Sequence, residues 1–207
     1  MQIQAEQLAY WYFRLNGFLN IPNFVVHPDT GSEQRTDVDL LGVRFPYRSE
    51  LLLDPMRDDE IFRRVREKTY IVLAEVKAGV CSLNGPWTNP SRQNMQRVLR
   101  AVGALPAQEV DLASSALYQN GLYSNQLYKV SLFCLGATES SAITEAYPHV
   151  PQVLWSHTLT FIYERFRRYQ RQKVSHNQWD EQGKALWNCA ERSRTIEDFI
   201  TQVQVTG

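Results

Sequence analysis

Two acids and a lysine stand where the surrounding residues leave little room for idle charge. In "YIVLAEVKAG", residues 70–79, Glu75 and Lys77 close an apolar run, and in "TDVDLLGVRF", residues 36–45, Asp39 interrupts another. Side chains two apart on a strand share a face, so Glu75 and Lys77 are neighbours while Val76 points into the opposite layer. An antiparallel pairing of the two strands brings Asp39 to the same face. Paired carboxylates with open positions suit Mg²⁺, which takes oxygen ligands and is held by one or two carboxylates plus a substrate phosphate. Such an ion polarises a phosphodiester and orients a hydroxide, and an adjacent lysine positions the water or offsets charge growing on the transition state. These residue types therefore fit phosphodiester hydrolysis. The competing account is a solvated Glu/Lys pair on an exposed strand. The apolar surroundings of Glu75 argue against it, because carboxylates are rarely buried without a partner or a cation.

The elements that must position these groups follow from periodicity. Residues 5–16 place Leu8, Ala9, Tyr12, Phe13 and Leu15 at helical spacing, with Gly17 where a C-terminal cap sits. "FLNIPNFVV" reads as a short strand before the turn-rich "HPDTGSEQ". Residues 36–45 and 69–77 are the next strands, the latter apolar enough to be covered on both sides. The charged stretch between them, residues 44–68, reads as an insertion with one short helix starting near Asp58 and Asp59. "CSLNGPWTNPS" is punctuated as a loop, residues 91–102 as a helix, "LYKVSLFCLG" as a strand and residues 150–173 as a long helix with a Leu159, Ile162, Phe166, Tyr169 stripe. "WDEQGKALWNCAERS" and "TIEDFITQV" read as further helices. The order implies an α/β fold with a central sheet. The expected organisation is a single domain over residues 1–207, with a core of about 1–148 and a helical C-terminal extension over about 149–207.

The pattern of Asp39 followed by Glu75-Val76-Lys77 at the end of an apolar strand resembles the PD-(D/E)XK nuclease superfamily. The similarity spans roughly residues 5–136: a leading helix with an acid, "DVDLLGV", "VLAEVK", a helix and another strand. It implies a restriction-endonuclease-like central mixed sheet flanked by helices, and a nuclease dependent on Mg²⁺ or Mn²⁺, cutting as an endonuclease or exonuclease in defence or repair. It further implies Asp39, Glu75 and the backbone carbonyl of Val76 as metal ligands, and Lys77 as the cation serving the water. Some branches add a first-helix acid, here Glu6, and a glutamine on the helix after the E-x-K strand, here Gln93 or alternatively Gln96. DNA is the implied substrate rather than RNA. Val38 stands where many members have proline, and the 44–68 insertion lengthens the gap. Asp37 lies two residues from Asp39 on the same face and is the alternative ligand. Glu6 is equally accounted for as a first-turn acid favoured by the helix dipole.

Lys plus Arg and Asp plus Glu number 22 each, so a nucleic-acid partner must be argued from local patches. Arg92, Arg97 and Arg100 follow the E-x-K strand on the next helix, the best position for reaching substrate. "ERFRRYQRQK" places Arg165, Arg168 and Gln172 on one face with Arg167 and Arg171 beside it, either along a phosphate backbone or simply in water. Trp87 is either a loop anchor or a base-stacking platform. The three cysteines are too dispersed for a disulfide framework or a zinc site and read as buried or idle thiols. The four histidines lack ligand spacing, and no phosphate-binding glycine loop is present. No apolar run approaches the roughly 20 residues that span a bilayer, so the expectation is a soluble cytoplasmic protein with no membrane partner. A nuclease-like module that binds nucleic acid or protein without catalysis is the alternative. Trp155, Trp179 and Trp187, with the apolar face of residues 154–169, would suit a homodimer or a partner subunit.

Overall fold

The computed structural model describes residues 1–27, 36–50, 53–65, 67–173 and 180–207. Most of the "HPDTGSEQ" turn, as well as Trp179, lies outside the described residues. The chain opens with a short strand β1 (Gln2–Gln4) and helix α1 (Ala5–Leu15), which ends at Gly17 in the left-handed region, φ 81°. Strands β2 (Leu19–Val26) and β3 (Thr36–Arg44) follow, then the one-turn helix α2 (Glu60–Arg63), capped by the Asp59 carboxylate, and strand β4 (Thr69–Val76). Helices α3 (Gly85–Thr88), α4 (Asn94–Val102) and α5 (Ala107–Asn120) lead to β5 (Leu122–Ser124) and β6 (Tyr128–Gly136). The remainder is α6 (Ser141–Ala146), β7 (Gln152–Leu154), α7 (Trp155–Arg168), α8 (Gln170–Lys173), α9 (Glu181–Arg192), α10 (Ile196–Gln202) and β8 (Gln204–Thr206).

These elements make an α/β fold around a mixed sheet ordered β2-β3-β4-β6-β5, with β7 also paired to β6. The β2/β3 and β3/β4 pairs are antiparallel, whereas β4/β6 is parallel, so the chain between β4 and β6 must cross a face of the sheet. It does so through α4 and α5. Met95, Val98, Leu99, Ala113 and Leu117 there pack against Ile71, Leu73, Val130 and Leu132. Helices α1, α7, α9 and α10 cover the opposite face, where Tyr12, Phe13, Phe62, Tyr70 and Phe133 form an aromatic core. Every residue of β4 from Tyr70 to Val76 is buried, as its unbroken apolar run predicts for a strand covered twice.

Several elements differ from the sequence expectation. The "NGPWT" loop contains a helical turn, with Pro86 in its first turn where no backbone donor is needed. Helix α4 begins at Asn94 rather than Ser91 because Gln93 takes left-handed φ 53°. Helix α5 escapes the pattern, since its buried face is built of small residues: Ala113 and Ser114 between Val110 and Leu117. The expected helix over 150–173 opens instead with β7, which pairs with β6 before α7 begins, and breaks again at Tyr169. The helices after residue 149 do not extend away from the core but form one of its two layers, and β8 pairs in parallel with β1. Leu159, Ile162, Phe166 and Tyr169 are buried as their spacing predicts. Trp155 and Trp187 are buried in the same core and offer no free apolar face. Among the described residues no helix is long and apolar enough to cross a membrane.

Candidate active site

The β3/β4 ladder stops at Leu40 opposite Ala74, one residue short of Asp39 and Glu75. On its other side β3 pairs with β2 through Leu40↔Pro22 and Val38↔Phe24, skipping Asp39 and the facing Asn23, whose φ is 49°. Asparagine tolerates this left-handed conformation better than most residues. Strand alternation breaks at the same point: Val38 packs toward α4 and α5, and Leu40, two residues on, packs toward α1. Asp39 thus sits at a local twist where the backbone no longer needs a ladder partner, and its carboxylate fills that role by accepting the Val76 N–H at 2.8 Å.

Glu75 and Lys77 project from the α4/α5 side of β4, as strand alternation requires. The Lys77 ammonium lies 2.7 Å from Glu75 Oε2 and 3.9 Å from Asp39 Oδ2, so it stands between the two carboxylates. Its backbone is pinned from both sides: the Lys77 N–H donates to Leu135 at 2.9 Å, and Trp155 Nε1 donates to the Lys77 carbonyl at 3.1 Å. Glu75 Oε1 accepts a hydrogen bond from the indole N–H of Trp87, which is itself 1% exposed. Trp87 is therefore a buried anchor aimed at the site, not a platform open to a base. Cys134 faces Glu75 across the parallel β4/β6 pair, and its thiol donates to the Ser82 carbonyl at 3.4 Å. A side chain at Gly136 would press on the Gly79 carbonyl at 2.8 Å and on Cys81 Sγ at 2.9 Å. Only glycine lets the turn after Lys77 approach β6 this closely.

The charge balance of this cluster is unfinished. Burial pushes the Glu75 carboxyl above its ordinary range, against the pull of Lys77 and Trp87. Burial raises Asp39 too, helped by the charges of Asp37 and Glu6, while the Val76 N–H and Lys77 oppose the shift. For Lys77, burial disfavours the ammonium, but the close Glu75 carboxylate and then Asp39 overcome it and raise the group. Although Glu75 Oε2 lies 2.7 Å from the Lys77 ammonium, the pair is off the line of a hydrogen bond, and among the described residues that buried oxygen has no directed donor. Two desolvated carboxylates sharing one ammonium, with an acceptor to spare, fit a divalent cation.

Helix α1 carries Glu6 close enough for its charge to act on Asp39. Among the described residues no group of three or more His, Cys, Asp or Glu is arranged to hold a metal ion. The carboxylate oxygens that these strand ends bring together are those of Asp39 and Glu75. Gln93 is exposed and, with Gln96, Arg97 and Arg100, lines a cavity on the outer side of α4. Arg92 is exposed on the turn before it.

The second basic patch is not what its sequence promises. Arg165 is 1% exposed and pairs with Asp58 at 2.9 Å and Glu50 at 3.4 Å, tying the described part of the 44–68 insertion to α7. Arg168 pairs with Asp54 of the same insertion but stays exposed, as do Arg167 and Arg171. Sequence reasoning also misses a cluster in which buried Asp59 accepts from Tyr12 at 3.0 Å and meets the half-exposed His157 Nε2 at 2.5 Å. Its partners come from three separate elements, so no spacing could announce it. Comparison of the chain with protein-family models, curated proteins and solved structures found no match.

Proposed function

We propose that the chain is a metal-dependent nuclease of the PD-(D/E)XK type with a restriction-endonuclease-like sheet, and that Asp39, Glu75 and Lys77 are its reacting centre. What supports this reading is one arrangement: two desolvated carboxylates at the point where β3 and β4 part, with an ammonium between them and an undirected acceptor on Glu75. Asp39, Glu75 and the Val76 carbonyl would hold Mg²⁺ or Mn²⁺, which supplies Lewis acidity and a lower pKa for bound water. Lys77, held at its backbone from both sides, directs its ammonium at the attacking water or at the oxygens of the scissile phosphate. Asp39 keeps the two strand ends together through the Val76 N–H. Trp87 and the α4/α5 layer exclude water from Glu75 and so strengthen each of these interactions.

The resemblance set out above makes DNA the first substrate to test. Cleavage of plasmid, linear and single-stranded DNA and of RNA, with Mg²⁺, Mn²⁺ or EDTA, is expected to require metal and to disappear in Glu75→Gln and Lys77→Met. A second reading is a binding module without catalysis, favoured by the ammonium already seated between the carboxylates as their counter-charge. Absence of cutting together with absence of Mn²⁺ binding by calorimetry would decide for it.

A further inference from the structure

Beyond the carboxylate cluster, α4 presents a second polar surface. Its inner face buries Met95, Val98 and Leu99, and its outer face carries Gln96, Arg97 and Arg100, with Gln93 in the left-handed position just before the helix beside them. That surface is one wall of a cavity of about 460 Å³, completed by His27 from the end of β2 and Asp111 from α5. The volume lies in the range of small-molecule sites, roughly 300–1,000 Å³, and is too small for a stacked duplex.

The lining is polar and specific in kind. Two guanidinium groups suit a phosphate, which arginine grips with paired donors. Two glutamine amides offer both a donor and an acceptor, the combination that reads a base edge, and Asp111 accepts from an amino or hydroxyl group. Among the described residues, buried Gln96 Oε1 has no hydrogen-bond partner. It is an acceptor waiting for a donor, which a simple anion such as phosphate lacks and a base amino group supplies.

The cavity stands at the same end of the sheet as the site. Val26, which also lines it, pairs with Thr36, three residues before Asp39, a separation of about 10 Å at the rise of a strand. Val26 and Val38 share the α4/α5 side, the side from which Glu75 and Lys77 project. We propose that this cavity holds a single unpaired nucleotide of the substrate strand, its phosphate on Arg97 and Arg100 and its base edge on Gln93 and Gln96. The substrate class that follows is single-stranded, frayed or flipped-out nucleic acid, not an intact stacked duplex. The link to cleavage rests on the nuclease reading, whereas nucleotide binding does not.

The test uses the whole chain in EDTA, titrated with each deoxynucleoside 5′-monophosphate, inorganic phosphate, a short single-stranded oligonucleotide and a blunt duplex, read by amide chemical shifts. Mononucleotides are expected to shift residues 93–100 and 111, with inorganic phosphate weaker and the single strand tighter than the duplex. Arg100→Gln changes an exposed residue, and Gln93→Gly keeps the left-handed backbone while removing the amide. Each is expected to weaken mononucleotide and single-strand binding about tenfold with an unchanged melting temperature. Shifts that avoid α4, binding unaffected by both variants, or equal affinity for inorganic phosphate and nucleotide would each overturn the assignment. Mononucleotide binding with the single strand excluded would overturn the strand as its source. Metal-dependent cleavage without α4 shifts would sink this inference alone, and α4 shifts without cleavage would sink only the nuclease reading.

Discussion

The indole N–H of Trp87 donates to Glu75 Oε1, joining the loop after β4 to the most buried acid among the described residues. Trp87 lies in the hydrophobic cluster beneath α4 and α5, so the bond fixes one carboxylate oxygen from the core side and leaves the other turned to Lys77. A single aromatic residue thereby sets both the dryness and the orientation of the candidate ligand.

Trp87→Phe separates these two contributions, because the ring keeps much of the packing and loses the donor. A buried acceptor deprived of its donor costs about 1–3 kcal/mol. The variant is expected to lose that much in urea unfolding at neutral pH and less in acid, where Glu75 is protonated. It should also bind Mn²⁺ more weakly by calorimetry. A stability change below about 0.5 kcal/mol, the usual range of a surface substitution, would mean the bond does not orient Glu75.

Asp39 combines a charge with a backbone bond, and two substitutions take them apart. Asparagine retains an oxygen for the Val76 N–H, so Asp39→Asn should remain close to wild type in stability and lose at least about tenfold in Mn²⁺ affinity. Asp39→Ala also orphans that N–H and should cost a further 1–2 kcal/mol or so in denaturant melts. Equal stability of the two variants would show that the strand ends do not need the bond.

The site was legible where it depends on strand geometry and opaque where it depends on distant partners. Alternation along "YIVLAEVK" put Glu75 and Lys77 on one face, and an antiparallel pairing brought Asp39 to them; both are properties of local backbone. The burial of Glu75 followed from its apolar neighbours. Trp87 was ambiguous because a Trp among Pro and Asn residues reads as loop whichever way its ring turns. Arg165 looked like the other arginines of "ERFRRYQRQK" because its carboxylates come from residues 50 and 58, more than a hundred positions away. Strand β7 is three residues long, too short to show alternation, and exists because β6 offers it an edge.

Arg165 belongs to a network in which Asp58 also meets Arg44 at 2.5 Å and Arg48 at 3.0 Å, while Arg48 meets Glu50 at 2.6 Å. Stripping a buried pair of one partner costs roughly 3–5 kcal/mol when the other charge is abandoned. Here Arg44 and Arg48 remain, so Arg165→Ala should cost about 2–3 kcal/mol by denaturant unfolding. Lysine, a point charge without the planar fork, should restore little of it. Full recovery in Arg165→Lys would contradict a role for the guanidinium geometry.

The Asp59/His157 contact makes attachment of α2 to α7 depend on pH. Bonding to Asp59 raises the His157 pKa against the opposing effect of burial. Burial works against the Asp59 carboxylate, yet bonds from His157, the Ile61 N–H and Tyr12 outweigh it and lower its pKa. The raised histidine contributes stability that is complete below its unfolded value of about 6.5 and fades as pH rises through the folded value. The lowered aspartate contributes stability that is complete above its unfolded value of about 3.9 and fades as pH falls through the folded one. The contact is therefore strongest in mildly acidic solution between those limits. Wild type should lose stability relative to His157→Gln as pH is raised from about 5.5 to 8.5, followed as the difference in melting temperature. A difference that stays constant over that range would mean the imidazole is neutral throughout and the contact is a plain hydrogen bond.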